Sequence, residues 1–159
     1  MRSKFWKLPP KIKILEALGA IADGRVRING NRAKVLSSRG EKEYEVIYDP
    51  SKNAIISNDN GSMFKGYLGY PAIAFLMLKG KLSFDEKYAV LLKNILWKDL
   101  NEKYKSYTRV LEVIRKVVKE RGGDFEKIDG FAEEVLQEIK MKKFKKLEVP
   151  KTQKTLSDF

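Results

Sequence analysis

The segment Tyr70-Pro71-Ala72-Ile73-Ala74-Phe75-Leu76-Met77-Leu78 carries no charge and leaves no polar side for solvent. A helix that is apolar all round belongs inside a protein or inside a bilayer. This run stops near Gly80, well short of the ~20 residues that a membrane crossing needs. It is therefore read as a buried central helix, and the rest of the chain must supply the layers that cover it.

The flanking segments suit that task. Pro9 and Pro10 open a helix over residues 11–22, with Ile12, Ile14, Leu15, Leu18 and Ile21 as its apolar face. Asn29-Gly30 reads as a hairpin turn between residues 25–28 and 33–36, because both residues tolerate positive φ. Further turns at Ser38-Arg39-Gly40 and Asp49-Pro50-Ser51 bound strands at Tyr44–Tyr48 and Asn53–Ser57. Residues 58–68, polar and glycine-containing, read as a loop. Beyond the central helix, Ser83 and Glu86 have capping-box spacing and predict a helix to about Leu96. A continuous stripe predicts another over Lys98–Glu120, broken by Gly122-Gly123, and a last helix runs from Phe131 to about Lys145. The fold class is α+β: an N-terminal helix and small antiparallel sheet crossed by a buried helix, then a helical half and a disordered tail. The expected divisions are an α+β domain (1–82), a helical region packed on it (83–146) and a flexible tail (147–159).

Composition narrows the chemistry. The 159 residues include no Cys and no His, so disulfides, thiolate nucleophiles, histidine bases and Cys/His zinc sites are all excluded. The formal charge of +12 favours polyanionic partners, and abundant Lys with Glu also suits a thermophile's surface. The N-terminus lacks a signal-peptide apolar run, so a cytoplasmic, nucleoid-associated protein without a membrane partner is expected. No phosphate-cradling glycine loop or nucleophile elbow is present, and no cofactor is implied. A non-enzyme is the expectation, without catalytic or metal-binding residues. A small Mg²⁺-dependent nuclease built on Glu43, Asp49 and Asp59 is a lesser alternative.

Basic residues cluster with aromatics at two places. Arg2, Lys4 and Lys7 accompany Phe5 and Trp6, while Lys140, Lys142, Lys143, Lys145 and Lys146 surround Phe144. Both are candidate phosphate contacts, which give affinity without sequence specificity.

Gln153, Leu156 and Phe159 follow at three-residue spacing, which one 3₁₀ turn would stack on a single face. The pattern resembles the sliding-clamp (PCNA) interaction motif, Gln-x-x-aliphatic-x-x-aromatic, common at the C-termini of archaeal replication and repair proteins. That family usually carries two adjacent aromatics, and here Phe159 stands alone. The resemblance implies clamp contacts through Gln153, Leu156 and Phe159, helped electrostatically by Lys151 and Lys154.

Residues 35–78 also resemble a SWIM domain, in which a hairpin precedes Cys-x-Cys, a loop, and Cys-x-His at the start of a helix. Ser57 and Asp59, or Ile56 and Asn58 one out of register, fall at the first ligand pair, Gly69 and Pro71 at the second, with Ala74 and Leu76 in the helix-facing positions. Every metal ligand is replaced, so the resemblance implies a ββα arrangement and DNA or protein binding, and no zinc. Together these features predict a non-catalytic accessory factor of DNA replication or repair. It would bind PCNA through its tail, and DNA or another replication or repair protein through its domain. A clamp-independent DNA- or RNA-binding protein is the alternative.

Overall fold

The computed structural model describes residues 3–148, and it is α+β. Helix α1 (Ile12–Ala22) leads into four antiparallel strands, β1 (Val26–Asn29), β2 (Arg32–Leu36), β3 (Glu43–Asp49) and β4 (Ala54–Ser57). A π-helical turn, Gly61–Lys65, precedes α2 (Tyr70–Leu78). Four helices follow: α3 (Glu86–Leu91), α4 (Trp97–Tyr104), α5 (Tyr107–Glu120) and α6 (Phe125–Lys142). The chain then returns to the sheet as β5 (Lys145–Lys146), parallel to β4, giving the order β1-β2-β3-β4-β5.

Helix α2 lies where its composition requires. It packs against α1 on one side and against β1, β3 and β4 on the other. Residues Pro71 to Met77 are all buried, Tyr70 at the start is half-buried, and Leu78 at the end is exposed. Pro71 sits in its first turn, where an amide would have no intrahelical partner. Phe75 is fully buried, its ring 6.2 Å from that of Tyr48 on β3 in an edge-on contact. One hydrophobic cluster continues from α1 and the sheet through α2 to Ile114 and Val118 on α5, and to Ile128 and Val135 on α6.

Several boundaries differ from expectation, each for a local reason. The β1–β2 loop is Gly30-Asn31, since Asn29 pairs with Arg32, and Gly30 takes φ +62° at the first loop position. Ser83 does not cap α3: its N–H and Oγ donate to Glu138 on α6, and Asp85 caps instead by accepting from Lys87 N. The expected long helix is two, because Lys105 turns left-handed at φ 50° and Ser106 accepts from Arg109 N to start α5. Helix α6 begins six positions early, with Asp124 accepting from Glu126 N as its cap. It ends at Lys142, and Lys145-Lys146 are strand rather than helix. Residues 61–65 form the π-helical turn within the expected loop. Among the described residues no helix is long and apolar enough to cross a membrane.

Candidate functional site

The two basic clusters meet. Phe5 bridges Lys145 in antiparallel fashion, Trp6 N donates to Phe144 O at 3.0 Å, and Lys146 N donates to Lys4 O at 2.8 Å. Trp6 fixes this seam from inside: its indole N–H donates to Ile55 O on β4 at 2.8 Å, and Lys146 Nζ lies 5.2 Å from its ring. Lys7 N then donates to Gly66 O, which brings the end of the π-helical turn alongside. The result is one basic edge containing Lys4, Lys7, Lys65 and Lys145 as exposed cations and Lys146 as a half-buried one. Phe64 and Met63, 82% and 56% exposed on the π-helical turn, stand beside it, and Phe5 lies within it.

The remaining predicted lysines lie at the approach to that edge. Lys140 is exposed in the last turn of α6, where a cation complements the helix dipole. Lys142 is turned aside, its ammonium donating to Lys81 O, and Lys143 is exposed and left-handed as the helix ends. Arg2, Lys151, Gln153, Lys154, Leu156 and Phe159 lie outside the described residues.

A second feature is not expected as a site from the sequence, although Asp59, considered above for other roles, lies on its wall. A cleft of about 410 Å³ opens between α1, the β2–β3 turn, the start of the π-helical turn and α4. Glu16 lies on its wall, only 4% exposed although charged. Lys13, one turn earlier on α1, places Nζ 2.8 Å from Glu16 Oε2. The Lys13 ammonium is thus the charge partner of that buried carboxyl oxygen. Burial raises the Glu16 carboxyl above the usual range, with Lys13 and Asn101 partly opposing the rise. Burial also works against the Lys13 ammonium, but the Glu16 carboxylate outweighs it and the net shift is upward.

Three tyrosines wall the cleft. Tyr44 and Tyr70 meet edge to face at 6.2 Å, and Tyr67 stands near Lys13. Burial pushes the Tyr67 hydroxyl up to about 12 and raises Tyr70 and Tyr44 as well, so all three are neutral phenols at ordinary pH. Arg25 is held in place by its Nε donating to Asp23 at 3.0 Å and its guanidinium donating to Leu36 O at 2.6 Å. On α4, Asn101 presents an Oδ1 that is buried and without a hydrogen-bond partner. Glu16 was the one available sequence signal, a carboxylate inside the apolar run of α1. The cleft itself joins segments far apart in the chain.

At the cleft's edge, Ser57, Asp59 and Gly69 come together. The Asp59 carboxylate accepts from Ser57 Oγ at 2.6 Å, Ser62 Oγ at 2.8 Å and Ser62 N at 3.2 Å. Gly69 N donates to Ser62 Oγ at 3.2 Å, and a Cβ on Gly69 would sit 2.0 Å from Asp59 Oδ2. A hydrogen-bonded knot thus ties β4, the π-helical turn and the start of α2.

A family model described as Uncharacterised conserved protein UCP014422 matches residues 6–145. The chain belongs to this family. No curated protein and no solved structure is significantly similar to it. The span matched to UCP014422 takes in the whole cleft and the basic edge from Trp6 to Lys145, while Gln153–Phe159 lie beyond it.

In this UCP014422 chain the three carboxylates considered for a nuclease are apart. Glu43 and Asp49 begin and end β3, about 20 Å from one another at 3.4 Å per residue. Asp59 is committed to the serine knot. Among the described residues no group of three or more His, Cys, Asp or Glu could hold a metal ion.

Proposed function

We propose that this chain is a non-catalytic accessory factor of DNA replication or repair, acting in the cytoplasm at the nucleoid. It holds DNA on the basic edge and engages the sliding clamp PCNA through Gln153, Leu156 and Phe159. The observation that supports this reading is the convergence of two basic and aromatic clusters from opposite ends of the described chain. Lysines gathered on one edge can neutralise successive phosphates and release counterions. Exposed Phe64 and Phe5 add faces on which unpaired bases can stack. The clamp-like spacing after this edge would place a DNA-encircling partner beside it.

Two measurements test the halves separately. DNA affinity should fall steeply with salt, and Lys4→Gln/Lys7→Gln/Lys145→Gln should lower the log–log slope by about 0.9 for each phosphate that is no longer neutralised. A slope unchanged by the triple substitution would remove the DNA-binding edge. Deleting residues 152–159 should abolish binding to the clamp by calorimetry while leaving the circular dichroism spectrum intact. Equal clamp affinity with and without those residues would leave a clamp-independent nucleic-acid-binding protein.

A further inference from the structure

We infer that the cleft between α1 and α4 is a binding site for a nucleoside 5′-phosphate, free or at the end of a nucleic-acid strand. The inference stands on the cleft alone and does not need the basic edge. A volume of about 410 Å³ is that of a small-molecule site, with space for a base, a sugar and one phosphate. Its inner wall carries two buried polar groups that lack a hydrogen-bond partner. Asn101 Oδ1 is an acceptor and Trp97 Nε1 a donor, and neither is matched within the protein. Buried polar groups in folded proteins are almost always matched, by protein, water or ligand. Nucleobases carry N–H donors and carbonyl or ring-nitrogen acceptors in one plane, and guanine offers its N2 amino donor as well as O6 and N7 acceptors.

The side walls suit a flat ring. Tyr44 and Tyr70, set edge to face, and Tyr67 on the same cleft present aromatic surface and neutral hydroxyls. A sugar phosphate without a base would leave those rings and the unmatched inner groups unused. The mouth supplies the charge for the phosphate. Lys42, on the β2–β3 turn, and Lys105, at the end of α4, are exposed and form no ion pair among the described residues. Lys98 adds a third cation, shared with Glu41 at 3.7 Å, and Glu102 is the exposed carboxylate that opposes them. Lys13 and Arg25, the cations deeper in, are paired with Glu16 and Asp23, so the cleft runs from unmatched polar groups within, through aromatic walls, to cations at its mouth. A nucleotide has the same order of groups: base edge, ring faces, phosphate.

The test is calorimetric titration of the full chain with GMP, AMP, CMP, UMP, guanosine and inorganic phosphate. GMP should bind saturably at one site, and guanosine about tenfold more weakly, the scale of one charge-assisted contact. Lys42→Gln/Lys105→Asn should weaken GMP by about tenfold and leave guanosine unchanged. Asparagine at position 105 tolerates the left-handed backbone, so the variant should fold. Asn101→Ala should reduce the preference for GMP over the other three. A 5′-phosphorylated trinucleotide that binds more tightly than GMP assigns the site to strand ends, and equal or weaker binding assigns it to free nucleotides. Absence of saturable binding by all four nucleotides would overturn the inference. So would GMP affinity untouched by Lys42→Gln/Lys105→Asn. Lys4→Gln/Lys7→Gln/Lys145→Gln should leave GMP binding as it was, and weaker binding by that variant would place the nucleotide on the basic edge instead.

Discussion

Phe75→Ala is expected to destabilise the protein by about 3–5 kcal/mol, the range for removing a fully buried aromatic ring. The ring packs against Tyr48 on β3, on the helix that lies between α1 and the sheet, and its removal leaves a void within the main core cluster. For a chain of this size each kcal/mol moves the melting temperature by about 2–4 °C, so the midpoint should fall by roughly 6–20 °C. Leu78→Ala is the internal comparison: the same helix, but 41% exposed, with an expected cost below about 1 kcal/mol. Thermal melts of the two variants separate the readings. If Phe75→Ala costs no more than Leu78→Ala, α2 is not the centre of the core.

Gly69→Ala should have the second large effect, about 1–3 kcal/mol from overpacking. The backbone at Gly69 is ordinary, φ −77° and ψ 165°, so strain is not the cause. The cause is the Asp59 carboxylate, which would meet a new Cβ at 2.0 Å and is held there by Ser57 and Ser62. Asp59→Ala alone should cost about 1–3 kcal/mol, because it leaves those serines and the Ser62 amide without their acceptor. It also clears the space that the Gly69→Ala methyl needs. The double variant should therefore be less destabilised than the sum of the singles by about 1 kcal/mol or more, measured by urea denaturation. Strict additivity would show that the carboxylate does not set the limit at position 69.

The parts of the fold that local chemistry decides were legible in the chain. Helix α2 declared itself by having no polar side, and the β1–β2 hairpin by its glycine. The boundaries that misled are those decided at a distance. Ser83 and Glu86 have the spacing of a cap, but Glu138 on α6 takes the serine. The last helix is expected from Phe131, yet α6 runs through Gly130 from Phe125, since a glycine inside a helix costs only about 1 kcal/mol and burial of Phe125 and Ile128 outweighs it. The stripe from Leu100 to Val118 runs through the break at Lys105-Ser106, since both flanking helices face the same core. The candidate sites divide in the same way. The lysines of the basic edge are conspicuous in the sequence, but their union depends on pairing between residues 4–7 and 144–146. The cleft shows in the sequence only as one glutamate in an apolar helix. Its Tyr44, Tyr70 and Asn101 come from separate elements, β3, α2 and α4.

The seam joining residues 4–7 to 144–146 also bears on the order in which the molecule assembles. It unites the most distant segments of the described chain, so its contacts carry the greatest loop-closure entropy and form late, after α1, α2 and the hairpins have condensed. Contacts made late and lying at an edge are also among the first to open below the global unfolding free energy. The basic edge is thus a closure rather than a foundation. Any polyanion that bridges its two halves would help to hold that closure shut.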